Sequence, residues 1–260
     1  MFKILLSVLG SVLFLPAVAS DIMCGDVGRG EVHPPINFYD VTACFVFVET
    51  AADKEGQLSR DPDGIAVYSV YKSEKPKLVY EFPYAGTEGK INDVFFLPVN
   101  GKSEDVLFVI HSMETPKSWD PVSDVYDVSA MRLQDGGFVQ DEKLSRFFGM
   151  GGDLLDKKGG VKDVYPYKDK KSVEEVVQSP LFSAVNSSAL ISGVIKESAF
   201  LYGGETEASW QDPKKSYLVK GDQVVVKDSV AGWCKIYYNS KKTKPVTMWV
   251  QCKSITFDRS

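Results

Sequence analysis

Lys220-Gly221-Asp222-Gln223-Val224-Val225-Val226, then Gly232-Trp233-Cys234-Lys235-Ile236-Tyr237, then Met248-Trp249-Val250-Gln251-Cys252 is the stretch on which the fold turns. Gly221-Asp222 punctuates the chain as turn residues do, and Val224 and Val226 then fall on one face of an extended strand while Val225 falls on the other. The phrases are rich in β-branched and aromatic residues, a strand composition. Gly193-Val194, Ala199, Leu201-Tyr202, Lys215 and Tyr217-Leu218 extend the pattern upstream, and Ile255 extends it downstream. For Trp233 and Trp249 packing is favoured over ligand binding, because large aromatics dominate small cores.

In their order, these phrases resemble the bacterial SH3 domain, over the last quarter of the chain. The resemblance rests on Ala199 and Leu201-Tyr202 in the opening strand, Gly221-Asp222 and Val224 at the central turn, Gly232-Trp233, and a second Trp followed by Val, here Trp249-Val250. The family usually writes that last element Gly-Trp-Val, whereas here Met248 precedes Trp249 and a long insert, residues 239–245, comes before it. The resemblance implies an SH3-like (SH3b) barrel over residues 191–260 and a peptide, cell-wall or protein ligand. Trp210 sits in the polar, loop-like run Glu207-Ala208-Ser209-Trp210-Gln211-Asp212-Pro213. With Tyr202 and Tyr217 it is a candidate lining for the peptide groove of such a barrel, local packing being an equal alternative. Lys241, Lys242 and Lys244 form a basic loop that a solvated hairpin tip explains equally well.

At the other end, residues 1–19 read as a secretory signal: Lys3, an apolar run from Ile4 to Leu15, a break at Pro16, then Ala17-Val18-Ala19. A membrane span needs about 20 apolar residues, more than this run supplies. The expectation is therefore a protein exported across the inner membrane, periplasmic in a Gram-negative bacterium, and free of the membrane once the signal is removed. All four cysteines lie beyond the signal, which favours disulfides. Of the three possible pairings, Cys24 with Cys44 and Cys234 with Cys252 close short loops, and the barrel would make the strands of the second pair neighbours. A four-cysteine metal site lacks a close Cys-x-x-Cys pair.

Thirty Lys and Arg stand against 35 Asp and Glu, a net charge of −5. Residues 191–260 hold eleven Lys/Arg and seven Asp/Glu, a balance of +4, while residues 20–190 hold 18 against 28, or −10. A basic module beside an acidic one suits either an anionic ligand, such as a cell-wall polymer, or an interface between the two. Nucleic acid is not expected, since no recognition motif is visible and export removes the opportunity.

Residues 20–190 alternate short apolar bursts with turn residues. Strands are expected at 44–49, 65–71, 77–82, 91–97, 105–112 and 125–133, separated by Asp63-Gly64, Asn100-Gly101 and Gly136-Gly137. A glycine-rich stretch through Gly149, Gly151, Gly152, Gly159 and Gly160 reads as loose chain. One helix is expected at 172–178, with Ser172 and Glu175 as a capping box and Pro180 as its stop. Asn186, Ser187 and Ser188 read as a hinge. The fold expected is mainly β: an antiparallel sandwich or open sheet with one helix, followed by the small SH3-like barrel.

Enzymatic signatures are sparse. His33 precedes Pro34-Pro35, and His111 ends the apolar run from Val106 to Ile110, without neighbouring motif residues. There is no Gly-x-Ser-x-Gly elbow, and Gly149 to Gly152 lacks the Lys-Ser/Thr of a phosphate loop. Asp61-Pro62-Asp63-Gly64 lacks the further ligands of a calcium loop. Asp61, Asp63, Asp93 and Asp105 remain available to a carboxylate-based hydrolase. The reading is a non-enzymatic exported binding protein, without cofactor or metal, recognising a cell-wall peptide or glycan or a protein through the SH3-like module. Two alternatives stand beside it: an inhibitor or immunity-type protein against a secreted toxin or hydrolase, and a cell-wall hydrolase carrying an SH3-like targeting module.

Overall fold

A computed structural model describes residues 24–27, 30–48, 64–71, 74–87, 89–99, 105–116, 122–156, 158–203, 213–239 and 244–257. The expected signal at 1–19, the turn at Asn100-Gly101, the run Asp61-Pro62-Asp63, and Trp210, Lys241 and Lys242 lie outside the described residues. The fold is mainly β, with antiparallel sheets, one of them curled into a half-barrel.

The first sheet contains β1 (Glu31–Phe38), β2 (Val41–Phe47), β3 (Ile65–Tyr71) and β4 (Lys77–Glu81), paired in that order. Pro34 and Pro35 sit in β1, an end strand, where a missing N–H removes no bond from the sheet interior. Register slips between His33 and Ile36 on this strand. The edge position accommodates both prolines within a strand. A disulfide ties Cys24 to Cys44 on β2, with Cα atoms 5.5 Å apart. It holds the N-terminal turn at residues 24–27 over the outer face of the sheet, beside Val70.

The second sheet contains β5 (Gly89–Pro98), β6 (Asp105–Met113), β7 (Val122–Gln134), β8 (Gly137–Gln140), β9 (Met150–Leu155) and β10 (Val161–Asp163). Its main order is β10-β9-β7-β6-β5, with β8 paired to β7 through a tight turn. Asp135 and Gly136 in that turn both have positive φ, at 51° and 78°, the twist a two-residue hairpin needs. β6 is central, and Val106 through Ile110 are fully buried on both of its faces. Alternate residues point to opposite faces of a strand. Leu107 and Val109 accordingly meet Phe45 and Val67 of the first sheet, whereas Val106, Phe108 and Ile110 belong to a second core on the other side.

Helices cover that other side. They are α1 (Glu142–Phe148), α2 (Lys170–Val177) and α3 (Pro180–Asn186), three where the sequence suggested one. Each has a side-chain N-cap: Asp141 accepts from Leu144 N, Asp169 from Ser172 N and Ser179 from Phe182 N. Ser172 is thus the third helical residue, reaching back to Asp169, and does not itself open the helix. Pro180 starts α3, since its fixed φ and missing N–H suit a first helical turn. Asn186 and Ser187 complete α3, and Ser187 Oγ donates to the carbonyls of Ser183 and Ala184, so the expected hinge is a helix end.

The third sheet contains β11 (Ile191–Ile195), β12 (Ala199–Tyr202), β13 (Pro213–Leu218), β14 (Gln223–Val230), β15 (Trp233–Tyr238), β16 (Val246–Gln251) and β17 (Ile255–Phe257). Its order is β13-β12-β16-β15-β14-β11-β17. At the Gly221-Asp222 turn, Gly221 takes φ 95° and Asp222 accepts from Val219 N at 2.9 Å and from the Tyr238 hydroxyl at 3.0 Å. A disulfide joins Cys234 at the start of β15 to Cys252 just after β16, with Cα atoms 5.0 Å apart. The buried face of this sheet, the three helices and the lower face of the second sheet share one continuous core, which crosses residue 190 without a break.

Candidate functional site

The two-residue turn between β14 and β15 positions the site. Ala231 and Gly232 both have positive φ, 52° and 83°. A Cβ on Gly232 would stand 2.7 Å from the Pro166 ring, so the turn presses against the chain that follows β10. Around it, Ala231 N donates to the Phe147 carbonyl at 3.1 Å, and Arg146 makes a two-pronged pair with Asp228 at 3.0 and 2.6 Å. Lys253 bonds Asp163 at 2.8 Å, joining the start of the last segment to the end of β10.

Next to this seam lies a cleft of about 590 Å³. Val125, Met150, Val164 and Tyr165 line it from one half, and Trp233 and Phe257 from the other. Val164 is 52% exposed and Met150 44% exposed, apolar surface facing an open space. Glu175 and Gln251 add polar groups to the lining, together with the Asp163–Lys253 pair. The cleft also meets two sheet ends: β10 is an end strand of the second sheet and β17 of the third, and their last residues, Asp163 and Phe257, both line it.

Tyr165 forms a fixed wall. Its hydroxyl donates to the carbonyls of Gly149 at 2.9 Å and Phe148 at 3.2 Å, and its backbone N–H donates to Asp153, which also holds Lys168 at 2.6 Å. Burial, with the charge of Asp127 and then Tyr167 adding to it, pushes the Tyr165 phenol well above its ordinary range. Gly151 makes room for this ring, because a Cβ there would lie 2.7 Å from it. Of the glycine stretch read as loose chain, Gly151 and Gly152 lie in β9, where an aromatic must approach closely, while Gly149 caps α1 and Gly159 and Gly160 fall between β9 and β10. Glycines at 149–152 followed by Tyr165-Pro166-Tyr167 were the available signal.

Of the residues expected to form a groove, Tyr202 is half-buried and meets Trp233 edge-on at 4.7 Å. Burial raises its phenol pKa, and the charge of Asp163 adds to the shift. Tyr217 is 57% exposed and sits beside Phe200, equally exposed, with ring centres 6.3 Å apart. The two tyrosines thus belong to two different aromatic pairs. Trp249 is buried, as is Trp233.

Neither histidine, nor Asp93 nor Asp105, lines the cleft. His33 lies edge-on to Phe45, and the Asp93 carboxylate accepts from the next backbone N–H. Among the described residues, no group of three or more His, Cys, Asp or Glu side chains is placed to hold a metal ion, and no helix is long and apolar enough to cross a membrane. Comparison with protein-family models, with curated proteins and with solved structures finds no match to this chain.

Proposed function

We propose that the protein is an exported, non-enzymatic binding protein that takes an extended peptide segment of a cell-envelope or other exported protein into the cleft between its two halves. In this reading residues 191–260 are an SH3-like module whose recognition surface is shared with the preceding part of the chain. Two disulfides support an oxidising compartment. The observation that carries the proposal is the meeting of apolar surface with the ends of β10 and β17, each outermost in its sheet among the described residues, in one cleft. An extended peptide can add main-chain hydrogen bonds along such an edge while alternate side chains enter the apolar space. Trp233, Tyr165 and Phe257 suit those side chains, because rigid aromatics give contact area at small cost in conformational entropy.

The test uses the whole mature chain, since cutting at residue 190 would divide a continuous core. Peptides with alternating apolar side chains and purified peptidoglycan serve as probes. Val164→Asp places a charge on an exposed apolar position in the cleft without disturbing the core. It is expected to weaken peptide binding at least about tenfold, or 1.4 kcal/mol, while Tyr217→Ala leaves binding unchanged. Binding that ignores Val164→Asp but is lost in Tyr217→Ala would instead assign recognition to the outer aromatic pair.

A further inference from the structure

We infer a second binding site between α1, α3 and β14, for a phosphate group carried on a small apolar body. A cavity of about 260 Å³ opens there, on a surface separate from the peptide cleft. Leu144, Phe147 and Phe182 form its apolar floor. Around it stand three cations drawn from two elements, Lys143 and Arg146 of α1 and Lys227 of β14, with Asp228 as the sole carboxylate among the lining residues.

Each cation is held by a particular neighbour. Lys143 Nζ donates to Ser188 Oγ at 3.0 Å, and the Lys227 ammonium lies 4.8 Å from the centre of the Tyr237 ring. Arg146 spends its planar fork on Asp228, in the two-pronged pair already described. That pair neutralises one positive charge and the only lining carboxylate together. Lys143 and Lys227, both among the residues that line the cavity, then leave its border net positive, a field that an anion relieves.

The donor set selects the anion. Bidentate recognition of a carboxylate is best made by a guanidinium fork, and that of Arg146 is occupied. Two ammonium groups act as point charges and suit a compact, multiply charged phosphate. The apolar floor accepts the organic part of such a ligand. The ligand class could reach the protein as a soluble phosphate ester or as a phosphate-bearing lipid headgroup.

Calorimetric titration of the mature protein with phenyl phosphate, and flotation with phosphatidylcholine vesicles with and without phosphatidate, separate these two sources. Lys143→Ala and Lys227→Ala are each expected to weaken binding of phenyl phosphate at least about tenfold. Lys77→Ala, an exposed lysine on the first sheet, is the control and leaves it unchanged. Vesicle capture that requires phosphatidate and is lost with either pocket lysine supports the site with a lipid as its source. Failure in both arms, binding indifferent to Lys143 and Lys227, or tighter binding of benzoate than of phenyl phosphate would overturn the inference. Val164→Asp is expected to leave phosphate binding intact, so the peptide reading and this one fail separately.

Discussion

His111 and Asp127 face each other in register across β6 and β7, and burial shifts them in opposite directions. His111 is almost fully buried, stacked on Phe82 at 5.0 Å, and its pKa falls from 6.5 to about 4. Asp127 rises from 3.8 to about 6, an effect of burial that a 2.9 Å hydrogen bond from Ser129 partly offsets. Between pH 4 and 6.5 the unfolded chain binds more protons at His111 than the folded chain, so this residue makes stability rise with pH. Between pH 3.8 and 6 the folded chain binds more protons at Asp127, which makes stability fall with pH. The two effects, each about 3 kcal/mol across its window, largely cancel in the native sequence. Asp127→Asn should leave the His111 slope, with stability increasing from pH 4 to 6.5, and His111→Phe the reverse slope up to pH 6. Urea midpoints measured across that range check this, and slopes of the same sign in both variants would refute it.

Elements with a strong local pattern were legible in the chain, and those that depend on distant contacts were not. β3 and β6 are continuous β-branched and aromatic runs, and Gly221-Asp222 announces its turn through one residue that needs positive φ and one carboxylate that caps it. α3 is hidden because Pro180 reads as a stop, although Ser179 before it supplies the cap that makes proline a start. β9 escaped because Gly151 and Gly152 have little intrinsic strand preference and are kept by close approach to Tyr165 and to the Asp124 carbonyl. The cleft was equally hidden, since Tyr165, Trp233 and Phe257 come together only after the sheets stack. Gly232 tests this argument at the level of a turn. Gly232→Ala meets both positive φ and the Pro166 ring. It should cost about 1–3 kcal/mol, read as a lower urea midpoint, and an unchanged midpoint would show that the seam yields freely.

At the scale of the whole molecule, the described residues stack in layers. The first sheet packs on the second, helices pack beneath the second, and the third sheet closes the same core from the far side. Ile195, Val226 and Ile236 share that core with Phe108, Phe148 and Phe182. Unfolding should therefore be cooperative across residue 190. Calorimetry is expected to show one transition whose calorimetric and van't Hoff enthalpies agree, whereas two separated transitions would mark independent units. The boundary visible in the sequence is one of composition and charge, and the core does not respect it.

Bare strand edges carry a hazard as well as an opportunity, because any extended chain can dock on them, including another copy of the same protein. Here the last residue of β10 is Asp163, and Lys253, two residues before β17, reaches across to bond it. The Asp163 side chain is largely covered while that of Lys253 remains mostly in water. This buries one charge at the mouth of the cleft and holds the other in front of it. Such charges act as gatekeepers against sheet-to-sheet self-association. The double variant Asp163→Asn/Lys253→Gln should consequently scatter more light than the native protein when concentrated, and the excess should shrink when a cleft-binding peptide is added. Loss of the ion pair is thereby expected to turn the protein's own strand ends into a template for self-association.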